Sequence, residues 1–239
     1  MNVAWKSDAG RVRTNNEDAV LVDEECGTFL LADGMGGHNA GEIASDIAVK
    51  EAYALIHREM ARPGGGRDLL GVLEEALHEA DRAVRVKAGS DAMFRGMGTT
   101  LVEVAVRGNT AYLCHVGDSR AYLFRDRLQR VTRDHTVGAS YVESGHMETA
   151  QVPPRLWNML TQAVGTSSTL LPDKKSIALK AGDILLLCSD GLTGMLTDEE
   201  IGGILLRGKG RPGQVVDRLV EDANRKGGTD NISVIVIEI

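Results

Sequence analysis

Aspartates stand where apolar runs end in this sequence, and two of these places share one design. The apolar run 29–32 ends at Asp33-Gly34, and the run that begins at 184 ends at Asp190-Gly191. A strand that stops in this way fixes its carboxylate at a rigid sheet edge, while the glycine lets the backbone turn sharply. Asp-Gly is also ordinary turn chemistry, which is the simpler interpretation of either pair alone.

More carboxylates lie next to the ends of other predicted strands. Glu17 and Asp18 precede one strand, Asp118 lies in a tight turn, and Asp230 introduces the last strand. Acids that converged without counter-charge would repel one another, and bound cations would remove that repulsion. Carboxylate, carbonyl and water oxygens suit Mg²⁺ or Mn²⁺, and the chain has no His/Cys spacing suited to structural zinc. We therefore predict a divalent-metal site.

A metal site of this kind also implies a substrate. Mg²⁺ keeps several of its waters, so aspartates around such ions hold water ready to be deprotonated, and a phosphoester is the natural target. Arg13, just before Asn16, would provide a forked, permanently charged donor for phosphate oxygens. Arg11 is a nearby alternative, and spacing alone does not choose between the two arginines.

Short strands and tight turns predict an antiparallel meander through the middle of the chain. The predicted strands are 19–22, 28–32, 101–106, 110–116, 120–124, 128–132, 175–179, 183–188 and 232–239. Apolar stripes at helical spacing predict helices over 44–55 and 69–84, separated by a link at 62–67. A capping box at Thr197 and a first-turn proline at Pro212 open two more. Helices segregated from antiparallel strands imply an α+β layered fold.

Bulk composition narrows the class of protein. With 239 residues, 43% of them hydrophobic, we expect one domain over 1–239, with a mobile insert at 138–165 where the strand pattern fails.

The three cysteines, Cys26, Cys114 and Cys188, show no paired spacing, which fits a reducing compartment. Without an export signal or a membrane span in view, we expect a cytoplasmic location. We also expect a monomer. Acidic residues outnumber basic ones by 34 to 27, which argues against a nucleic-acid binder.

A set of short motifs runs along nearly the whole chain. They are, in order, Arg13-Thr14-Asn15-Asn16-Glu17-Asp18, Asp33-Gly34-Met35-Gly36-Gly37, Gly98-Thr99-Thr100, Gly117-Asp118-Ser119-Arg120, Ser189-Asp190-Gly191 and Asp230-Asn231. Together they resemble the signature motifs of the metal-dependent type 2C protein serine/threonine phosphatases, in their bacterial form. The resemblance implies a four-layer α-β-β-α sandwich, in which two antiparallel sheets pack face to face between helices.

The resemblance also implies a ligand set for two core Mn²⁺ or Mg²⁺ ions. By position, Asp33 would bridge the two ions and the Gly34 carbonyl would bind one of them. Asp190 and Asp230 would hold the other. The implied activity is hydrolysis of phosphoserine and phosphothreonine on proteins by metal-activated water, with no covalent phosphoenzyme. The implied partners are phosphoproteins, including a bacterial Ser/Thr kinase whose action the enzyme would oppose.

Outer positions of the site follow from the same resemblance. Glu17 and Asp18 would act mainly through metal-bound water, and Asp118 would join Asp190 at a weaker third ion. Arg13 matches the phosphate-binding arginine of the family, so the resemblance favours it over the alternative named above.

The sequence departs from the family pattern in two places. Many eukaryotic members carry a proton-donating histidine directly after Asp-Gly, where this chain has Met35. Metal-bound water or His38 would have to replace it, although a surface-loop histidine is the simpler interpretation of His38. In the insert, which corresponds to the family's flap, 152–157 replaces the usual histidine- and arginine-containing stretch. Trp157 would then be either a core residue or a substrate contact.

Two other functions compete with the metal-dependent enzyme. Cys114 and Arg120 satisfy the cysteine-x5-arginine spacing of cysteine-dependent phosphatases. That chemistry needs a loop of amides leading into a helix, but a strand is predicted after Arg120, and Asp118 would repel phosphate. A regulatory module of the same fold should have lost some metal-binding acids, and none is missing. We therefore rank both below the metal-dependent phosphatase.

Overall fold

The structure is a computed structural model that describes residues 1–36, 40–62, 68–166 and 169–239. Its strands are β1 (Asn2–Asp8), β2 (Asp18–Asp23), β3 (Thr28–Met35), β4 (Gly98–Thr99), β5 (Leu101–Arg107), β6 (Thr110–Val116), β7 (Arg120–Phe124), β8 (Leu128–Arg130), β9 (Asp173–Ala178), β10 (Ile184–Cys188) and β11 (Ile232–Glu238). Its helices are α1 (Ala40–Ala61), α2 (Leu69–Ser90), α3 (Val137–Glu143), α4 (Pro154–Trp157), α5 (Asp190–Thr193), α6 (Asp198–Gly208) and α7 (Pro212–Arg225).

Within these residues the strands form two antiparallel sheets. The β11 sheet has the order β1-β11-β10-β7-β8, and the β3 sheet has the order β2-β3-β5-β6-β9, with β4 joined to β3. The two sheets pack face to face through an apolar layer to which both contribute alternate residues. Because successive side chains of a strand point to opposite faces, a strand covered on both sides must be apolar throughout.

Strand β10 shows this double burial most clearly. Leu185 and Leu187 lie in the layer between the sheets, whereas Ile184 and Leu186 pack toward α6 and α7 on the other side. Helices α1 and α2 cover the outer face of the β3 sheet in the same way. The predicted four-layer α-β-β-α sandwich is confirmed.

The predicted helix signals are found where the sequence placed them. Thr197 accepts a hydrogen bond from the Glu200 amide and Glu200 accepts one from the Thr197 amide, so the capping box opens α6 as expected. Pro212 occupies the first turn of α7, whose apolar stripe faces the β11 sheet.

Other predictions need correction. Strand β1 was not predicted, because it is an edge strand of mixed polarity that gains its partner only from β11, at the far end of the chain. The strand predicted over 128–132 ends at Arg130. The insert 138–165 contains helix α4 and most of α3, where no element was predicted. Of the predicted link 62–67, all but Arg62 lies outside the described residues. No helix in the described part of the chain combines the length and apolar character needed to cross a membrane.

Candidate active site

The acids singled out in the sequence meet at one edge of the sandwich. A cleft of about 700 Å³ opens there between the ends of the two sheets and the insert. Of the predicted site residues, its lining includes Arg13, Glu17, Asp33, Gly34, Asp118, Asp190 and Asp230. Asp18, the remaining one, lies beside the cleft, directly opposite Asp33 in the β2–β3 pair.

Asp18 joins the two sheets at this edge. Its Oδ2 accepts a hydrogen bond of 2.8 Å from the Ser189 hydroxyl, which also accepts the Ser233 amide at 3.0 Å. Its Oδ1 is buried and has no hydrogen-bond partner among the described residues. A buried carboxylate oxygen without a partner is costly, and it marks a place where a cation or its water would be stabilised.

Burial, to which the charges of neighbouring carboxylates add, raises the pKa values of the acids in and beside the cleft. Burial raises the pKa of Asp18 to about 7, and the charges of Asp190 and Asp230 add to the rise. Burial, then the charges of Asp18 and Asp190, raises the pKa of Asp33 well above its ordinary value. Burial also raises the pKa of Asp118 to about 7 and shifts that of Asp190 upward. The available ligand atoms are carboxylate and carbonyl oxygens that line one cleft, and this donor chemistry fits a hard divalent cation.

A network of hydroxyl groups holds Asp33 in place. Its amide donates to the Thr100 hydroxyl at 2.9 Å, and its carbonyl accepts from the Thr100 amide at 2.9 Å and the Thr99 hydroxyl at 2.8 Å. Thr100 in turn shares a hydrogen bond of 2.8 Å with Ser119, the residue after Asp118. The Gly-Thr-Thr motif, to which the sequence assigned no role, therefore connects two of the predicted acids.

Close backbone packing explains the glycine after Asp33. The Gly34 amide donates to the Glu17 carbonyl at 3.1 Å. A side chain on Gly34 would place its Cβ 2.2 Å from the Gly41 carbonyl oxygen and 2.5 Å from that of Glu17. Only glycine allows β3 to approach α1 this closely.

Asn231 ties the first and last acids of the cleft together, and it is a site residue that sequence reasoning missed. Its Oδ1 accepts the Glu17 amide at 2.8 Å. Its Nδ2 donates to the carbonyls of Ala9 and Asn15 at 3.0 and 2.8 Å. The signal was an asparagine directly after Asp230 at the start of a strand, which also fits an ordinary turn.

The two candidate arginines have different surroundings. Arg13 Nη2 donates to Asp230 Oδ2 at 2.7 Å, and this hydrogen bond raises the pKa of Arg13. Arg11 Nε instead donates to the Asn224 carbonyl at the end of α7, and Arg11 is absent from the cleft lining. The geometry therefore presents Arg13, rather than Arg11, to a ligand in the cleft.

A second cavity of about 410 Å³ adjoins the cleft and shares Asp118, Asp190 and Asp230 with it. Trp157 and Met195 line this cavity, so Trp157 lies at a ligand-accessible wall rather than in the core.

Met35 lines the cleft itself and offers no titratable proton. His38, the suggested substitute, lies outside the described residues.

The cysteine chemistry considered above has no support in this geometry. Cys114 is fully buried in the apolar layer beneath α1 and α2. Burial raises the pKa of its thiol far above the ordinary value, which disfavours the thiolate. Arg120 forms paired hydrogen bonds of 3.0 and 2.7 Å with Asp134, and β7 rather than a helix follows the turn.

Comparison with known proteins gives a consistent result. A family model described as protein phosphatase 2C matches residues 9–223. Serine/threonine protein phosphatase PstP of Mycobacterium tuberculosis is 37% identical over 240 residues, which cover 100% of this chain and 45% of PstP. Protein phosphatase PhpP of Streptococcus pneumoniae is 35% identical over 250 residues, covering 100% of this chain and 98% of PhpP. The chain therefore spans less than half the length of the mycobacterial relative.

The structural comparison reaches the same group of proteins. A crystal structure of the catalytic domain of serine/threonine protein phosphatase PstP in complex with two manganese ions aligns with a TM-score of 0.86 and 37% identity. The alignment covers 99% of this chain and 97% of that one.

Proposed function

This chain belongs to the protein phosphatase 2C family, and we propose on that basis that it is a metal-dependent protein serine/threonine phosphatase. The observation that carries the proposal is the meeting of Asp33, Asp118 and Asp190 in one cleft with Asp18 directly beside it, where the pKa values of all four carboxyls are raised. Such a cluster of buried carboxylates destabilises the fold when no cation is bound, and with a bound divalent cation it can support metal-assisted hydrolysis.

We infer the ligands from the geometry of the cleft and the family resemblance. Asp33, the Gly34 carbonyl, Asp190 and Asp230 would hold two Mn²⁺ or Mg²⁺ ions, with Glu17 and Asp18 in the surrounding shell. Asp118 with Asp190 would hold a weaker third ion. When bound, the ions supply Lewis-acid activation of water and neutralise the developing charge on phosphate.

The chain's own residues would then orient the phosphoester and exclude competing reactions. Arg13 lies at the cleft as a permanent cation whose planar set of donors suits the oxygens of a phosphate group, and one of these donors, Nη2, is bound to Asp230 in the metal-free protein. Met35 cannot protonate the leaving alcohol, so that proton would come from water or from His38. The insert 138–165 borders the cleft as a flap on a single catalytic domain, and with Trp157 it would contact the peptide around the phosphorylated residue.

Phosphorylated serine and threonine on proteins are the proposed substrates, and a Ser/Thr kinase is the proposed opposing partner. The similarity to the serine/threonine protein phosphatase PstP supports the substrate class, the similarity to the protein phosphatase PhpP supports action on phosphoproteins, and the two manganese ions of the PstP structure support the cofactor. We propose that the chain acts as a monomer.

A turnover assay with matched variants tests the proposal. With Mn²⁺, the protein should hydrolyse an aryl phosphate and a phosphothreonine peptide, and a chelator should abolish both activities. Asp190→Ala should lower turnover by at least about 100-fold, because a ligand of the ion is lost. Cys114→Ala should leave turnover unchanged. Activity that survives the chelator would overturn the metal mechanism, and Mn²⁺ binding without any turnover would favour a regulatory module.

A further inference from the structure

His135 holds the turn that carries Asp118. Its backbone amide donates to the Gly117 carbonyl at 2.9 Å, and its ring Nδ1 accepts the Gly117 amide at 3.2 Å. Both the amide and the carbonyl of Gly117 are therefore bound to one residue. The side chain is almost completely buried, so water cannot easily replace the ring as acceptor.

The same residue also holds the segment that returns from the flap. The His135 carbonyl accepts the Thr161 amide at 2.8 Å, and the Val137 amide donates to the Met159 carbonyl at 2.8 Å. Met159 and Thr161 line the large cleft. His135 thus lies between the Asp118 turn and the flap wall of the active site.

Hydrogen bonding defines the protonation of the ring. Because Nδ1 accepts the Gly117 amide, the neutral ring carries its proton on Nε2. Nε2 faces Asp173 Oδ2 at 3.5 Å, and the ring stacks on His115 with centroids 4.8 Å apart. A metal ion on Nε2 would need a lone pair where this tautomer places a hydrogen. We therefore do not assign a metal to His115, His135 and Asp173 despite their proximity.

A shift of the turn at Gly117 would displace Thr100 and, through it, Asp33 in the cleft. Gly117 has a φ of +106°, and a Cβ on it would lie 2.5 Å from the Thr100 side chain. Thr100 is the residue whose hydroxyl accepts the Asp33 amide. The Asp118 turn therefore packs directly against a residue that supports Asp33.

We propose that His135 is a positioning residue: its neutral Nδ1 fixes Asp118 at the rim of the carboxylate cluster and aligns the flap wall with the cleft. The consequence for catalysis rests on the proposed phosphatase function. Loss of the acceptor should weaken the most weakly bound ion and raise KM for a phosphopeptide.

Two isosteric variants separate the acceptor from the bulk of the ring. His135→Asn places a side-chain oxygen near the Nδ1 position, whereas His135→Gln places its amide near Nε2 and leaves the Gly117 amide without an acceptor. In metal-free protein, His135→Gln should speed hydrogen exchange at the Gly117 amide about tenfold, while His135→Asn should stay within about threefold of the parent. Calorimetry should show the weakest Mn²⁺ step weakened about tenfold in His135→Gln only.

The Asp118→Asn variant is the control that tests whether His135 affects Mn²⁺ binding through Asp118. There, His135→Gln should cause no further loss of Mn²⁺ affinity, because the ligand that His135 positions is already gone. Equal impairment of the Asn and Gln variants would overturn the proposal, since the ring's packing and not its acceptor would then matter. Additive losses in the double variant would also overturn it.

The unmutated protein supplies a test that does not depend on folding of the variants. Imidazole ¹⁵N chemical shifts of His135 should show the Nε2–H tautomer, and an Nδ1–H tautomer would overturn the proposal. Exchange, Mn²⁺ binding and tautomer are measured without turnover. If the protein lacks phosphatase activity, the proposed function is refuted. The positioning role of His135 is still decided by the exchange, Mn²⁺-binding and tautomer measurements.

Discussion

Asp18 on β2 lies directly opposite Asp33 on β3, so two carboxylates face each other across one strand pair at the edge of the sandwich. Like charges opposite one another destabilise a sheet. The pKa values of both groups are raised, Asp18 to about 7. The fold therefore tolerates this pair in the metal-free protein by retaining protons.

Removing one charge of this pair should stabilise the metal-free protein while lowering its turnover. In the folded chain Asp18 keeps its proton up to about pH 7, whereas the ordinary pKa is 3.8. The folded state binds more protons in that window, so this contribution to the free energy of unfolding is fully present below pH 3.8 and is lost as pH rises through about 7.

Asp18→Asn should therefore gain stability over the parent as pH rises, by up to about 1.4 kcal/mol per pH unit across the window. Urea denaturation with chelator present, at several pH values, measures this difference. Turnover of the variant with Mn²⁺ should fall at least about tenfold. A parent protein that matched or exceeded the variant in stability near neutral pH would show that the pKa of Asp18 is not raised in the folded chain.

Metal binding should release protons in the same pH window. Carboxyls that retain protons in the metal-free cleft must lose them to bind a cation, so apparent Mn²⁺ affinity should increase as pH rises toward about 7. Calorimetry in buffers with different ionisation enthalpies measures the protons released. The number released should be larger near pH 6 than near pH 8, as roughly expected for groups that titrate near 7. Equal release at both pH values would contradict the assigned shifts.

Asn231 should matter to catalysis although it carries no charge. Asn231→Ala removes the acceptor of the Glu17 amide and the donor to Ala9 and Asn15, so the loop bearing Arg13 loses its attachment beside Asp230. We expect Mn²⁺ affinity or turnover to fall about 10- to 100-fold. Asn109→Ala, at an exposed asparagine in the β5–β6 turn, is the matched control and should be neutral. Parent-like kinetics in Asn231→Ala would refute its role.

Glu103 is predicted to lower the free energy of unfolding of this protein. It is fully buried in β5, and neither carboxyl oxygen has a hydrogen-bond partner among the described residues. Burial raises its pKa well above 4.5, so the folded protein retains this proton and loses stability as pH rises above that value. Glu103→Leu should raise stability at neutral pH by about 1–3 kcal/mol.

A second variant distinguishes the charge from the polar group. Glu103→Gln should remove the pH dependence that Glu103 contributes while retaining the cost of a buried polar group. Denaturant midpoints at about pH 5 and about pH 8 measure both effects. Glu51→Gln, at an exposed position of α1, should leave the pH dependence as in the parent. If Glu103→Gln also kept the parent's pH dependence, Glu103 would not be the titrating group.

Trp157 should influence peptide substrates more than small ones. It lines the cavity beside the cleft, so a peptide flanking the phosphorylated residue would contact it, while a small aryl phosphate held at the metal site would not. Trp157→Ala should lower kcat/KM for a phosphothreonine peptide about tenfold and change that for the aryl phosphate much less. Trp5→Ala, at an exposed tryptophan on β1, is the control. Equal losses on both substrates would indicate a structural role for Trp157.

The sequence by itself predicted the layered architecture and most of the acids of the cleft. Runs such as 184–188 are apolar at every position because both faces of the strand are covered, and this double burial is visible without coordinates. The acids are recognisable because each stands where such a run begins or ends. Local pattern and burial are properties of neighbouring residues, so they can be read from one segment at a time.

Tertiary structure alone decided how the segments are joined. The bond from the Glu17 amide to Asn231 links residues 214 positions apart. Nor could spacing show that Asp18 stands opposite Asp33, that Arg13 rather than Arg11 faces the cleft, or that β1 pairs with β11. Strand register and side-chain hydrogen bonds between distant segments depend on which surfaces meet when the two sheets pack. No local preference of the chain encodes that choice.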